Sequence, residues 1–455
     1  MISTLELGGR WNPPGDTGQV STGTLKFSPD SGAQLVNVIG PLAASHPQPG
    51  PGPALFHGRT ADAANVTLAG LHCFETQSAL PSANFDVDLV VKGHLFANLN
   101  EIRFTRYKCE YSNLHYWLGN RGCISVEHLP REQGRTPVQD RHIVSVEYPA
   151  LWDVTVNGTQ IRYFNGLSAH SDFAHGRSTF STKEGLQVDF QTEVPPAEFY
   201  RIERAVRGLI DLMCHAQIQR SKLVAGPTGS VEIIHVSRMG RNGRQDPDRL
   251  RIPVEFSQIE AEINPILERW LALYSSLEPS LSLFFLGLHD TDMNIENVFL
   301  GIMQALEAFH RTFFGGTFVS QEDYESSILP PLLAAIPETA HPDFRQALRN
   351  RLIYGNERSL RARLRELIQS LPTTATFQGY RENDLIGRSV ETRNHFTHVV
   401  TDAAAVYGIP ELFRAVQQWQ EILTALILTR VGVNAGVIEG AIQTIQECRG
   451  TFIEL

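Results

Sequence analysis

The string Glu391-Thr392-Arg393-Asn394-His395-Phe396-Thr397-His398 crowds polar and titratable side chains into a stretch where a helical bundle would normally carry Leu or Val. Asn394 and His398 are four residues apart and share a helix face, while Arg393 lies about 140° from His398 on an ideal helix, with a side chain long enough to reach round. The three supply an imidazole that titrates near neutrality, a permanent cation with a planar donor fork, and an amide able to hold either in place. That set suits phosphodiester cleavage in which the 2′-OH of RNA is the nucleophile: the imidazole moves the proton and the guanidinium stabilises charge developing on the phosphate. On spacing alone the competing reading is an Arg393 paired with Glu391 or a neighbouring helix, and a His398 that merely packs at an interface. A second concentration of charge precedes this string. Arg345, Arg349, Arg351, Arg358, Arg361, Arg363 and Arg365 are offset nearby by Asp343, Glu357 and Glu366. The periodicity predicts a helix over 358–370 with Arg358, Arg361 and Arg365 on one face, either a track for the RNA backbone, whose contacts make binding salt-dependent, or a solvated helix face paired with acidic neighbours.

The elements that must hold these residues are helical. From Ile259 onward apolar residues recur at threes and fours, predicting helices over 259–277, 294–314, 343–350, 358–370, 382–400 and 410–431. In the second of these, Phe299, Ile302, Met303, Leu306, Phe309 and Phe313 form the expected buried stripe. The first part of the chain has another rhythm. Phe85, Val87, Leu89 and Val91 alternate with Asp86 and Asp88 at the period of a half-buried strand, and Asn157-Gly158 between two short alternating runs predicts a type I′ hairpin. Gly185 to Gln191 alternates likewise, and the Pro- and Gly-crowded segment 45–53 reads as an exposed loop. The resulting expectation is an α+β multidomain protein: a mostly-β, sandwich-like domain over 1–194, an amphipathic helix, strand and polar loop over 195–258, and an all-α bundle over 259–455.

Composition narrows the function classes. The chain has 455 residues and a net charge of −10, the wrong sign for a protein that coats nucleic acid without specificity, so contact with nucleic acid must be local. No apolar run approaches the roughly 18 residues of a membrane span, and the start lacks the basic and apolar regions of a secretory signal, which points to a cytoplasmic protein with no membrane partner. Cys73, Cys109, Cys123, Cys214 and Cys448 are scattered and read as reduced thiols. His72, Cys73, Cys109 and Cys123 lack the close-spaced pairs of a structural zinc site, so no metal and no cofactor is expected. The chain has no Gly-Lys-Ser/Thr phosphate loop, GxGxxG, HExxH or GxSxG. His170-Ser171-Asp172 and His289-Asp290-Thr291-Asp292 read as polar turns.

The Arg-Asn-x-x-x-His string late in a C-terminal helical bundle resembles the signature of HEPN domains, many of which are metal-independent endoribonucleases. Gln304-Ala-Leu-Glu307-Ala-Phe-His310-Arg311 and Tyr354-Gly-Asn356-Glu357-Arg358-Ser-Leu-Arg361-Ala-Arg363-Leu364 resemble the HEPN domain of the ApeA-like group in particular, and the layout of the whole chain is similar to that of the ApeA-like anti-phage proteins of bacteria. The resemblance implies that Arg393, Asn394 and His398 are the functional positions, with Glu307 either orienting an Arg or His or bridging to Arg311 at i+4. It also implies a homodimer or higher homo-oligomer in which two signature helices face each other. The function then expected is a defence effector that cleaves host RNA, tRNA foremost, by metal-independent transesterification, with the N-terminal domain a sensor or restraint until a phage-derived trigger appears. Two other classes compete: a non-catalytic HEPN module for nucleotide or RNA binding or for dimerisation, which a signature lacking His would have favoured, and an N-terminal domain that is itself an enzyme or glycan binder, which would show paired carboxylates or an aromatic platform.

Overall fold

The computed structural model describes residues 5–16, 18–28, 32–77, 81–119, 123–129, 141–147, 151–172, 177–226, 231–235, 252–289, 293–372, 375–377, 383–398 and 406–450. The chain forms two compact units, Met1–Leu271 and Ala272–Leu455.

The first unit begins with antiparallel strands β1 (Leu5–Asn12), β2 (Ser21–Ser28) and β3 (Gly32–Ile39), a single turn α1 (Pro41–Ala44), and strands β4 (Gly50–Pro51), β5 (Leu55–Thr60), β6 (Asn65–Gln77) and β7 (Ser82–Lys92). They run β7-β3-β2-β1-β5-β6, and because β6 also pairs with β7 the six strands close into a ring. Closure removes the free edges that a stack of short strands would otherwise present to water. The ring is filled by inward residues such as Trp11, Leu35, Val66, Leu68 and Phe85, all fully buried. Trp11 needs room on the neighbouring strand: a Cβ on Gly58 would lie 2.1 Å from its ring, so only glycine fits there. β7 alternates as expected through Asp88, with Phe85 and Val87 buried; beyond it, where β15 replaces β3 opposite β6, Leu89 is only half-buried and Val90 and Val91 are both buried. The proline-rich 45–53 segment is largely exposed and runs beside β6, where Gly50 and Pro51 pair with Cys73 and His72 and the N–H of Gly52 donates to the carbonyl of Leu71 (2.9 Å).

The chain continues through β8 (Phe104–Tyr111), α2 (Leu114–Leu118), β9 (Cys123–Leu129), β10 (Arg141–Glu147), β11 (Asp153–Val156), β12 (Thr159–Asp172), β13 (Arg177–Val194), α3 (Pro196–Cys214), β14 (Arg220–Ala225) and β15 (Val231–His235). β9 and β10 form a separate ladder; the others extend the ring as an antiparallel sheet in the order β11-β12-β13-β8-β14-β15 before β7. The sandwich-like expectation is thus refined to a closed ring that opens into a sheet. Between β11 and β12, Asn157 (φ 50°) and Gly158 (φ 78°) take the positive φ angles of the predicted type I′ turn. His170-Ser171-Asp172 does not turn: it ends β12, in register with Arg177 to Thr179. The amphipathic helix predicted after Pro195 is α3, which buries Phe199, Leu209 and Met213; Tyr107 of β8 stacks on Phe199 at 5.0 Å. Beneath α3, buried Glu203 accepts a hydrogen bond from Tyr111 Oη (3.2 Å) and pairs with Arg207 (3.1 Å), so the charge is compensated where it leaves water. The polar loop 238–249 lies outside the described residues.

The helical unit is entered through α4 (Ile263–His289), whose first turns belong to the β-rich unit: Trp270 Nε1 donates to the carbonyl of Ala205 at 2.6 Å. The units therefore divide between Leu271 and Ala272, where the sequence had suggested residue 258. Next come α5 (Ile295–Phe314), α6 (Gln321–Asp323), a π-helical turn (Tyr324–Ile328), α7 (Leu329–Ala334), α8 (Pro342–Ile353), α9 (Leu360–Gln369), α10 (Asn383–His398), α11 (Ile409–Val431) and α12 (Ala435–Gly450). α11 is central, with an unbroken buried run from Trp419 to Leu428, and α5 packs on it through the predicted stripe of Phe299, Ile302, Leu306 and Phe309. Among the described residues no single helix is long and apolar enough to cross a membrane.

Candidate functional site

The inner face of α10 is fixed by hydrogen bonds that leave little freedom of rotation. Ser389 Oγ accepts from the buried indole of Trp419 (2.8 Å), and Thr392 Oγ1 accepts from the backbone N–H of Tyr407 (3.0 Å). The Tyr407 hydroxyl donates to the carbonyl of Leu385 (3.1 Å), and Arg388 grips both carboxylate oxygens of Glu411 (2.9 and 2.5 Å) while lying over the Tyr407 ring. The Arg388 hydrogen bond lowers the Glu411 carboxyl to about 2, so the pair is charged at any physiological pH. Phe396 adds an edge-to-face contact with Phe299 at 6.2 Å.

With Ser389, Thr392 and Phe396 inward, helical geometry turns Gly387, Glu391, Asn394 and His398 to the opposite face. Arg393 and Asn394 are half-exposed, and among the described residues their side chains make no hydrogen bond or ion pair. Glu391, the partner that spacing offered to Arg393, is taken by Arg361 of α9 at 3.2 Å. Arg361 thus lies along the face of α10 that carries Asn394 and His398. His398 closes the described part of α10; its backbone is helical and its side chain lies outside the described residues.

The expected one-faced track of Arg358, Arg361 and Arg365 does not form. Ser359 caps α9, its side chain accepting from the N–H of Ala362, so Arg358 precedes the helix and turns inward to bond Glu366 and the carbonyl of Thr317. Arg361 and Arg365 are exposed on α9. Arg363 goes the other way: it is 1% exposed, and its guanidinium reaches the carbonyls of Arg358 (2.8 Å) and Gly316 (3.2 Å) and the ring of His310 (3.5 Å). A guanidinium can only donate, so His310 Nδ1 must accept and the ring carries its proton on Nε2, which donates to Glu366 (2.7 Å). Burial, with Arg363, Arg358 and Arg311 close by, accordingly pushes the His310 pKa down to about 4. Glu307 bonds Arg311 one turn on (3.2 Å), and Arg311 continues to Glu357 (2.8 Å).

This cluster joins the two strings around His310 and Asn356 into one ionic clamp with His310 and Arg363 buried at its centre. The sequence reading named His310, Arg363 and Glu366 but gave them no role as a cluster. A signal was present, because Arg363 stands four residues before Leu367 on the apolar stripe of α9, where a charge must be compensated.

Cys73 and Cys109 are buried on β6 and β8, which pair with different neighbours, and burial raises both thiols. The side chain of Cys123 lies outside the described residues. Among the described residues no group of three or more His, Cys, Asp or Glu is placed to hold a metal ion. Two clefts on the ring, one of about 360 Å³ beside Ser45 and His46 and a more open one beside Arg10 and Arg59, have no carboxylate in their linings.

A β-rich unit followed by a helical bundle that leaves Arg393 and Asn394 half-exposed on a pinned helix defines a two-part protein with a C-terminal HEPN domain, and the family model described as Apea-like HEPN matches residues 300–437. The model described as ApeA N-terminal domain 1 matches residues 6–270, more than half of the chain and almost the whole first unit; the chain belongs to the ApeA-like family. Searches of the curated proteins and of the solved structures returned no match. Family membership supports an anti-phage defence effector, and because HEPN domains are generally ribonucleases it supports a nuclease role in outline.

Proposed function

We propose that this chain is an endoribonuclease that cuts host RNA, tRNA foremost, by transesterification without a metal ion. The observation that carries the proposal is the state of two signature side chains: on a helix locked on one side by Ser389, Thr392 and Arg388, Asn394 faces away from the core and Arg393 stands half-exposed at the flank, both with no partner among the described residues, on the helix that ends in His398. A buried guanidinium in this bundle is satisfied, as Arg363 is, whereas Arg393 has its donors available for a phosphate. In the reaction a base takes the proton of the 2′-OH, the 2′-oxygen bonds to phosphorus, and the bond to the 5′-oxygen breaks as an acid protonates it. The products are a 2′,3′-cyclic phosphate and a 5′-hydroxyl. His398 from each of two chains would serve as base and acid, Arg393 would stabilise the pentacoordinate phosphorane, and Asn394 would orient either. Arg361, beside Glu391, and Arg365 are exposed on α9 and would receive flanking phosphates. The β-rich unit would act as sensor or restraint until a phage-derived trigger arrives.

The test is incubation of wild type and His398→Ala with total bacterial RNA in EDTA, with and without phage-infected lysate, followed by denaturing gels and analysis of the 3′ ends. Discrete fragments with cyclic-phosphate ends from wild type only are expected. Equal cleavage by both proteins, or none by either in infected lysate, would overturn the proposal.

A further inference from the structure

Between Ser320 and Tyr354 the chain leaves the bundle as a helical arm: α6, the π-helical turn and α7 run outward and α8 returns. Tyr324 alone is buried in 321–354, its hydroxyl held by the carbonyl of Leu352 at 2.5 Å. The roots of the arm are stapled together. Asn356 Oδ1 accepts from the N–H groups of Phe318 (3.2 Å) and Val319 (3.1 Å), Thr317 bridges to Glu357, and Arg358 and Arg363 hold the carbonyls of Thr317 and Gly316. A firmly mounted arm with almost no core of its own has the design of a contact surface.

Its outer side chains indicate the kind of contact. Ile328, Leu332, Phe344, Ile353 and Tyr354 are between 38% and 68% exposed, a clustering of large apolar groups that isolated surface residues do not explain. The outgoing limb exposes Glu322, Glu325, Ile328 and Leu332; on the returning limb Phe344, Ala347 and Arg351 recur at threes and fours and share an exposed face of α8. Charge is divided between the limbs: 321–341 carries Glu322, Asp323, Glu325 and Glu338 with no Lys or Arg, whereas α8 carries Arg345, Arg349 and Arg351 against Asp343. Each limb therefore complements the other limb of a second arm, in charge and in apolar content, as a two-fold contact requires. An RNA strand would meet the acidic limb with repulsion and leave Ile328 and Leu332 bare.

We propose that the arms of two copies of this chain pair about a two-fold axis, the outgoing limb of one along α8 of the other. The contact is separate from the facing of two signature helices, and it is read by mass rather than cleavage, so either can fail alone. Sedimentation velocity of the full-length protein tests it with Ala347→Glu/Arg351→Glu, both on the Phe344 face of α8, and with the same pair combined with Glu322→Arg/Glu325→Arg. All four positions are exposed, so circular dichroism should match wild type. The double variant should halve the assembled mass, and the fourfold swap should restore it. A wild type that sediments as a monomer, an unchanged mass in the double variant, or a swap that fails to rescue would each overturn the pairing. Loss of RNA retention without a change in mass would assign α8 to nucleic acid instead.

Discussion

The bundle carries two concentrations of arginine and histidine, and they differ in whether their hydrogen bonds are answered from within. Around His310, Arg363 donates to two carbonyls and an imidazole, Glu366 receives both His310 and Arg358, and Arg311 spans two carboxylates. On α10, Arg393 and Asn394 find no partner among the described residues, although Glu391 is two positions from Arg393. Residue type alone does not separate structural from functional charge; the bookkeeping of donors and acceptors does. The clamp fixes α5 to α9, whereas on α10 the donors of Arg393 and Asn394 meet no acceptor among the described residues.

The comparison is most easily broken at its open end. Arg393→Ala should reduce RNA cleavage by about 10²-fold or more while leaving the thermal transition within experimental error of wild type, because no bond among the described residues is lost; a comparable fall in the transition temperature would make Arg393 structural. The clamp should behave in the opposite way. Arg363→Met leaves the carbonyls of Arg358 and Gly316 and Nδ1 of His310 without their donor and should cost about 3 kcal/mol in urea unfolding, whether or not RNA is present. On the inner face of α10, Ser389→Ala removes the acceptor of a buried indole N–H and should cost about 1–2 kcal/mol, with a loss of activity in proportion to unfolding only. A smaller effect follows from His310. Its folded pKa, about 4, lies below the ordinary value of 6.5, so the unfolded chain binds the proton first; the stabilisation is complete above pH 6.5 and is lost as pH falls towards 4, at no more than about 1.4 kcal/mol per pH unit. His310→Gln should flatten that slope, and an unchanged slope would place the titration elsewhere. The smallest expected change is in Arg361→Ala: the exposed pair with Glu391 is worth under about 1 kcal/mol, so stability should hold while the salt dependence of RNA binding falls by about one counterion.

How much of this was legible in the chain depended on how local its causes were. The Asn157-Gly158 hairpin, the α3 stripe and the α5 stripe follow from neighbours in sequence and appear where they were expected. Ring closure does not, because the pairings of β1 with β5 and of β3 with β7 join distant segments whose alternation is the same in a sandwich. The arm was missed over 321–334 because its apolar residues follow a helical period without being buried, and Pro330-Pro331 reads as a breaker although it stands in the first turn of α7. Arg358 was misplaced by two residues of helix: once Ser359 is the cap, the side chain before it is free to turn inward. The signature was the most legible part of the candidate site, since Asn394 and His398 need only helical period to share a face. Its support was the least, since Ser389 and Thr392 matter through Trp419 and Tyr407, which lie well along the chain.

The stapled root has a consequence for how this sequence can change. Phe318 N–H bonds the carbonyl of Asn356 at 3.0 Å, so the chain departs and re-enters at nearly one point, and the entropy of closing whatever lies between is nearly independent of its length. Residues 321–353 are in that sense a cassette: a short Gly-Ser connection in their place should leave the bundle folded, and a longer or different hairpin could be carried at the same doorway. Partner choice can then drift through insertion and deletion in this segment while the helices that hold Arg393 and Asn394 keep their geometry.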